Sequence, residues 1–306
     1  MEKFNKQSDN VKGALILILA ALFFSLMVAL IKLVGQRLPV SQILFVRQVG
    51  MSIMLAPVLI RGYPESLHTN RLSLQLCRIV FALIAMMCGF TAIVHIPLAD
   101  ATAIAFAKSF FITIFAVLIL KEQVGTYRWA AVIVGFIGVI IMVRPGTAGF
   151  SMYGMLAVIG AASAGFVMVI IRLLTRIDAP ATILAYQAIG VGLIMAVPAS
   201  LQWVQPTAWE WLLLFGIGLV SFFAQKANIF AYAYGEASVL ASIDYVRLLY
   251  ATFLGWLLFS ELPGTSTWVG AAIIVLASLY TVHREAKKKR RITSDPQARS
   301  INNSQP

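Results

Sequence analysis

Five basic residues lie within long apolar segments of this chain, where a charge needs a specific physical reason. They are Arg47, Arg78, Lys108, Lys226 and Arg247. Each such cation costs roughly 2.5–3.5 kcal/mol at the centre of a bilayer on insertion scales. A buried charge must find a partner or change its protonation state. The chemistry open to these residues is therefore anion binding, pairing with an acid or, for a lysine, release of a proton.

Position within the segments separates the five cations into two groups. Arg78 lies near the start of its segment and Arg47 about six residues into another, so their long side chains could reach lipid headgroups instead. Lys108, Lys226 and Arg247 lie deeper, and we expect them to face the protein interior or a water-filled cavity. If no anion binds there, a deprotonated Lys108 or Lys226 would serve as a proton-coupling residue.

Asp244 is the only carboxylate well inside an apolar segment, and it precedes Arg247 by three residues. Residues at that spacing share one face of a helix, so a purely structural ion pair is one explanation of Arg247. The remaining cations leave a positive surplus, which favours an anionic or carboxylate-bearing substrate. Polar side chains that would line such a cavity, or tie helices together instead, are Tyr186, Gln187, Gln225 and Tyr245.

The elements that carry these residues are predicted from composition and from the apolar runs. The chain has 306 residues, of which 60% are hydrophobic and 12% charged, and its mean hydropathy is +0.88. Soluble domains are about a quarter charged. These values exclude an ordinary cytosolic enzyme and, despite a net charge of +12, a nucleic-acid-binding domain.

A membrane-spanning helix needs about 20 mostly apolar residues. Apolar runs separated by turn signals therefore predict an all-α fold, a polytopic membrane protein with ten transmembrane helices. The predicted helices are roughly 12–34, 41–61, 72–95, 98–120, 126–143, 152–172, 181–201, 209–234, 237–260 and 265–283.

The chain also aligns with itself at an offset of 139, which places Glu122 on Glu261 and Lys108 on Arg247. Earlier in each half the offset grows by one or two residues. Each half then holds five helices, and an odd number forces the second half to be inverted in the membrane, as in many secondary transporters. The predicted organisation is a cytoplasmic N-terminal segment at 1–11, a first repeat at 12–143, a second repeat at 152–283 and a basic cytoplasmic tail at 284–306.

Basic residues outside the spans predict the orientation. With the N-terminus in the cytoplasm, the cytoplasmic segments carry sixteen Lys and Arg residues. The opposite side carries three, Lys32, Arg37 and Arg144. This asymmetry follows the positive-inside rule. Both termini are therefore predicted to be cytoplasmic in a multi-pass protein of the plasma (bacterial inner) membrane. The basic run at 287–291 is expected to rest on anionic lipid.

The sequence contains no cofactor or metal motif. Its three histidines are scattered, Cys77 and Cys88 lie too far apart on one helix to form a disulfide, and no GxxxxGK[ST] loop is present. We expect a small-molecule substrate and membrane lipids as partners, with no cofactor, no metal, no nucleic acid and no catalytic residues. An enzyme acting on a lipid-linked substrate would need catalytic groups gathered near one interface. A nontransporting membrane scaffold would be favoured if the tail alone supported function.

Two stretches of the chain resemble the drug/metabolite transporter superfamily, EamA family. One is the run from His95 to Ala103 with Glu122 after it, and the other runs from Asp244 to Glu261. The resemblance covers nearly the whole chain. It implies a plasma-membrane carrier that works without ATP and moves small metabolites by alternating access.

Within that family the chain is similar to bacterial members described as metabolite exporters or as riboflavin or S-adenosylmethionine carriers. It departs from its relatives at two places. Relatives commonly have Ser-Pro where this chain has Lys108-Ser109, and an uncharged residue where it has Lys226.

The prediction from the sequence is a secondary active transporter that exports a small anionic metabolite. The alternatives are uptake of a vitamin or nucleoside-type metabolite, such as riboflavin or S-adenosylmethionine, and the membrane-embedded enzyme. The predicted substrate-binding residues are Arg47, Lys108, Tyr186, Gln187, Gln225, Lys226, Asp244, Tyr245 and Arg247.

Overall fold

The computed structural model describes residues 2–294 except 65–66, 123, 145–150, 176, 235–239 and 241–242. Helices make up nearly all of this part of the chain. They are α1 (Glu2–Val34), α2 (Val40–Arg61), α3 (Leu72–His95), α4 (Leu98–Ala105), α5 (Lys108–Leu120), α6 (Thr126–Val143), α7 (Met152–Leu174), α8 (Pro180–Leu201), α9 (Ala208–Tyr234), α10 (Val246–Phe259) and α11 (Thr265–Ser294).

Eight stretches of helix are long and apolar enough to cross a membrane, with α4 and α5 together forming one of them, Leu98–Leu120. Two further apolar helices are shorter, Val246–Phe259 and Thr265–Tyr280. The all-helical, multi-pass membrane fold is thus confirmed. The ninth and tenth spans stay predictions, and much of the first third of the ninth lies outside the described residues.

The helices at the two ends of the chain extend beyond the predicted spans. α1 begins at Glu2 rather than near residue 12, and α11 continues to Ser294 rather than ending at 283. Lys, Arg and Glu are good helix formers, so the polar sequence that follows the apolar run can continue the same helix. The loss of apolar character at 284 therefore marks no helix end.

The main helix packing joins the first part of the chain to the second. α1 packs on α9, α3 on α7, α2 on α8 and α6 on α11, while α5 also packs on α7 and α1 on α10. Glycine permits the closest of these approaches. A Cβ on Gly138 of α6 would lie 2.8 Å from the carbonyl oxygen of Gly270 of α11, a distance that side chains essentially never reach.

The fourth predicted span is interrupted at its middle. Phe106 and Ala107 separate α4 from α5, and the amide of Ala107 donates to the carbonyl of Ile104 at 2.9 Å, an i to i−3 bond. A second interruption precedes α10. Asp244 and Tyr245 form a turn between helical Ile243 and Val246, and the amide of Arg247 donates to the carbonyl of Asp244 at 3.0 Å. Short tightened turns inside helices often mark functional hinges. The offset of 139 that aligns the two halves also relates these two interruptions.

Candidate functional site

The two helix interruptions lie against each other in the fold. The rings of Phe106 and Tyr245 lie 4.7 Å apart between centroids. Immediately after these rings come Lys108 at the start of α5 and Arg247 in the first turn of α10. Lys108 lies within electrostatic range of both Arg247 and Asp244. The fold therefore brings together four of the predicted site residues, which we call the central cluster: Lys108, Asp244, Tyr245 and Arg247.

Arg247 is held from three directions. Its Nη2 donates to Asp244 Oδ1 at 2.7 Å, and its guanidinium lies 4.4 Å from the ring centroid of Phe24 on α1. Its backbone carbonyl accepts a hydrogen bond from Ser25 Oγ at 3.2 Å. Its Nε is buried and has no hydrogen-bond partner among the described residues. The ion pair predicted from the i, i+3 spacing forms, and one guanidinium donor remains unused beside it.

Charge in the central cluster does not balance. Asp244 pairs with Arg247, and among the described residues Lys108 takes part in no ion pair. Two cations thus share one carboxylate in a partly buried position. Such a cluster attracts an anion, because burial weakens the screening that water would supply.

Arg47 and Gln187 belong to a second group of polar residues, away from the helix interruptions. Arg47 Nη1 donates to Gln48 Oε1 at 2.9 Å and its Nε donates to Ser221 Oγ on α9 at 3.2 Å. Gln48 Nε2 in turn donates to the carbonyl of Gln187 on α8 at 3.3 Å. The side-chain oxygen of Gln187 accepts from Arg78 Nη2 at 2.5 Å. We call this hydrogen-bonded set, from Arg78 through Gln187 and Gln48 to Arg47 and Ser221, the arginine chain.

Both arginines of this chain are buried rather than reaching lipid headgroups. Arg47 is 7% exposed and Arg78 is 1% exposed, and Arg78 Nη1 donates to the carbonyl of Ile183 at 2.6 Å. Their hydrogen-bond partners are neutral oxygen atoms and, for Arg47, also the sulfur of Met86. The snorkelling alternative therefore does not describe either side chain, since each is enclosed by packed helices.

The carboxylates with described side chains have partners other than Arg47 and Arg78. Asp178, which is 7% exposed, accepts from Thr69 Oγ1 at 2.6 Å and from Gln75 Nε2 at 2.8 Å. Asp100 accepts from Thr267. The remaining four, each in an ion pair, are Glu122, Glu210, Asp244 and Glu261. Within the described part of the chain, no acid pairs with Arg47 or Arg78.

The other three predicted site residues are placed apart from the central cluster. Tyr186 donates its hydroxyl to the carbonyl of Leu67 at 3.1 Å, and Gln225 Nε2 lies 3.9 Å from the sulfur of Met51. Lys226 is exposed. Tyr186 and Gln225 thus link their helices to neighbouring parts of the fold, which is the packing alternative given above for such polar residues.

Two ion pairs at helix ends were missed by the sequence reasoning. Lys32 Nζ lies 2.5 Å from Glu261 Oε1, and Arg172 Nη1 lies 2.6 Å from Glu122 Oε1. Lys32, counted above with the outside loop residues, lies in the last turn of α1 and is 3% exposed. The available signal was the repeat itself, because both acids and both cations occupy corresponding places in the two halves.

A third ion pair joins Arg37, in the α1–α2 loop, to Glu210 in the first turn of α9. The hydrogen bond to this carboxylate raises the pKa of Arg37 above its usual value. The pair is exposed on the Arg37 side, which is 47% accessible.

Among the described residues, no three His, Cys, Asp or Glu side chains are grouped so that they could hold a metal ion.

The fold and the interrupted helices define a multi-pass membrane protein built like a metabolite carrier, and sequence comparison identifies the family. The profile of the EamA-like transporter family matches residues 11–144 and again 152–282. The chain therefore belongs to the EamA-like transporter family, as the resemblance of its motifs predicted.

Relatives within the family have different substrates. A riboflavin transporter of Vibrio cholerae is 31% identical over 92% of this chain and 96% of its own length. A pseudopaline exporter of Pseudomonas aeruginosa is 32% identical over 87% of this chain and 94% of its own. An S-adenosylmethionine uptake transporter of Rickettsia prowazekii is 28% identical over 84% of this chain and 87% of its own.

A solved crystal structure shares the fold. It superposes with a TM-score of 0.62 at 17% sequence identity and covers 89% of this chain and 97% of its own. At that identity the likeness concerns the fold alone.

Proposed function

We propose that this chain is a secondary active transporter that exports a small anionic or carboxylate-bearing metabolite across the inner membrane. One observation carries the substrate class. Lys108 and Arg247 lie at corresponding interruptions of two helices. Among the described carboxylates, Asp244 alone pairs with Arg247 and acts on Lys108. A substrate carboxylate or phosphate would balance the remaining charge and would find the free Nε donor of Arg247 beside it.

The mechanism in this proposal is alternating access between two inverted halves of five helices. Helix packing supports it, because exchanging the halves turns the contact of α1 with α9 into that of α7 with α3. The contact of α2 with α8 and the contact of α6 with α11 are each unchanged by the same exchange. Sites of such transporters lie near the midplane where the halves meet and use interrupted helices. The central cluster joins residues of both halves and stands where helices are interrupted, which supports placing the substrate site there.

A contact at the central cluster also repeats between the halves. Ser25 of α1 touches the carbonyl of Arg247 at 3.2 Å. In the other half, a Cβ on Gly165 of α7 would lie 3.0 Å from the carbonyl of Lys108. Lys108 and Arg247 correspond at the offset of 139, and Ser25 and Gly165 at an offset of 140. This repetition favours paired roles for the two cations on either side of one site.

Export is proposed because a pseudopaline exporter, 32% identical, matches over 94% of its own length. In this proposal both termini are cytoplasmic, as the distribution of Lys and Arg predicts. Uptake of a riboflavin-like or S-adenosylmethionine-like metabolite is the second candidate, favoured by the names of the other two relatives. In this proposal the chain is not an enzyme.

Substrate counterflow in proteoliposomes tests the proposal. Candidate substrates come from comparing metabolites inside and outside cells with and without the protein. Lys108→Met and Arg247→Met are expected to abolish exchange of the metabolite while the protein remains folded in the membrane. Arg61→Met, which removes an exposed cation from the last turn of α2, is the matched control and is expected to leave exchange unchanged.

Normal exchange by both central variants would show that the central cationic site is wrong. Product formation without any gradient would instead favour the membrane-embedded enzyme. Direction is read separately, by comparing accumulation in inside-out vesicles with accumulation in right-side-out vesicles. Accumulation driven only in right-side-out vesicles would overturn export in favour of uptake.

A further inference from the structure

The two ion pairs at the helix ends occupy related positions. Glu122 and Glu261 correspond at an offset of 139, and Lys32 and Arg172 at an offset of 140. Lys32 closes α1 and Glu261 follows α10, whereas Arg172 lies near the end of α7 and Glu122 follows α5. Exchanging the two halves therefore converts one ion pair into the other.

The two pairs mark opposite ends of one span. The segment made of α4 and α5 begins at Leu98, whose backbone amide donates to Glu261 Oε2 at 3.0 Å. The same segment ends at Leu120, two residues before Glu122. We call the two ends of the bundle the Lys32 end and the Arg172 end.

At the Lys32 end the pair clamps three helices together. Glu261 accepts from Lys32 Nζ at 2.5 Å and from the amide of Leu98 at 3.0 Å. Lys32 Nζ also donates to the carbonyl of Ile96 at 2.6 Å. Directly against this clamp, Ala29, Leu98 and Ala251 from α1, α4 and α10 form a buried apolar cluster. This end of the bundle is tightly closed.

At the Arg172 end the corresponding pair forms but is open to its surroundings. The Arg172 and Glu122 side chains are 56% and 31% exposed, against 4% and 25% for Lys32 and Glu261. An exposed ion pair contributes little, whereas a buried pair with further hydrogen bonds holds its neighbours strongly once formed. The two ion pairs occupy equivalent positions in the two halves, but one is more buried than the other in this structure.

We propose that Lys32–Glu261 and Arg172–Glu122 are the alternating closing contacts of the transporter, one at each end, and that this structure has the Lys32 end closed. The inference rests on the proposed transport function and adds the residues that decide which end is shut. When the halves exchange conformations, the Arg172–Glu122 pair becomes buried and the Lys32–Glu261 pair becomes exposed. Neutralising either pair then shifts the equilibrium toward opening at its own end.

Accessibility of a single cysteine measures this equilibrium without any substrate. Cys77 and Cys88 are replaced by alanine, and Ala29, fully buried beside the clamp, becomes the reporter through Ala29→Cys. The full-length protein in lipid nanodiscs is labelled with a water-soluble maleimide. We expect Glu261→Gln and Lys32→Met each to raise the labelling rate about fivefold or more, the lower range of typical conformational couplings. Lys32→Met is included because Asp100, within electrostatic range of Lys32, could replace Glu261 as its partner.

The matched control is Glu210→Gln, which breaks the Arg37–Glu210 pair without touching the clamp. It is expected to leave labelling at the parent rate. Lys32→Arg keeps a positive charge and donors for both Glu261 and the carbonyl of Ile96, so it is expected to keep labelling slow.

A second mutation at the opposite end separates alternation from local loosening. Adding Glu122→Gln to Glu261→Gln weakens closure of the Arg172 end, so labelling of the reporter is expected to fall back toward the parent rate. Local fraying at the Lys32 end would not respond to a change at the other end. Labelling that stays at the rate of the Glu210→Gln control in both Glu261→Gln and Lys32→Met would overturn the proposal. Raised labelling in Glu261→Gln that adding Glu122→Gln leaves unchanged would overturn it as well. Lack of counterflow with these labelling changes intact would contradict the transport function alone.

Discussion

Replacing Asp244 by Asn isolates the energetic role of the ion pair in the central cluster. The change keeps the shape of the side chain but removes the carboxylate that accepts from Arg247 at 2.7 Å. The guanidinium then keeps its contact with Phe24 but loses its charged partner, and its Nε already has no hydrogen-bond partner among the described residues. We expect the free energy of unfolding to fall.

The size of the loss follows from burial. Breaking a fully buried pair costs about 3–5 kcal/mol, and a net hydrogen bond to a charged group contributes about 1.5–3 kcal/mol. Both side chains are 18% exposed here, so partial screening reduces the first value toward the second. A loss of about 2 kcal/mol is expected for Asp244→Asn.

The double variant Asp244→Asn with Arg247→Met provides the decisive comparison. It removes the unpaired charge as well, so it is expected to unfold less easily than Asp244→Asn alone, because replacing both members of a buried pair is often close to neutral. Reversible unfolding in mixed micelles measures all four corners of the cycle. The reasoning is refuted if Asp244→Asn matches the parent, or if the double variant is the least stable of the set.

Two further variants test the packing and the arginine chain. Gly138→Ala is expected to lower the melting temperature in detergent, since its Cβ would lie 2.8 Å from the backbone oxygen of Gly270. The control Gly125→Ala, with open space around its Cβ, is expected to leave the melting temperature unchanged. Equal melting temperatures of the two variants would contradict the close packing of α6 and α11. Arg78→Lys is expected to lower the free energy of unfolding by about 0.6 kcal/mol, the average of one intramembrane hydrogen bond. A lysine lacks the guanidinium fork that reaches both Ile183 and Gln187, so one of the two bonds is lost. An unfolding free energy equal to that of the parent would show that the two bonds are not both needed.

The sequence predicted the helical, multi-pass fold because apolar runs of about 20 residues have one dominant interpretation in a membrane. It also predicted the Asp244–Arg247 pair, since that contact depends only on local helix geometry. The interruption at Phe106 was not predicted. No Pro or Gly stands there, and the tightened turn depends on packing against Tyr245 from the other half.

Long-range partners were the harder part of the site. The sequence could show that Arg47 and Arg78 were expensive in a membrane, but not that Ser221 and Gln187 would meet them. Hydrophobic periodicity predicts which face of a helix is apolar, but it does not predict which other helix packs on that face. For Lys32, proximity to a loop was misleading, because its partner Glu261 lies 229 residues away.

The arginine chain has a consequence for synthesis of the protein. Arg78 finds Gln187 109 residues later in the chain, and Arg47 finds Ser221 174 residues later. At translation rates of 5–20 residues per second, about 5 to 35 s pass before these partners leave the ribosome. During that interval the first half is in the membrane with two guanidiniums that its own described residues do not neutralise. The insertion machinery is therefore expected to shield the two arginines of the first half from lipid. The first half can leave that machinery once the second half has been made and provides Gln187 and Ser221.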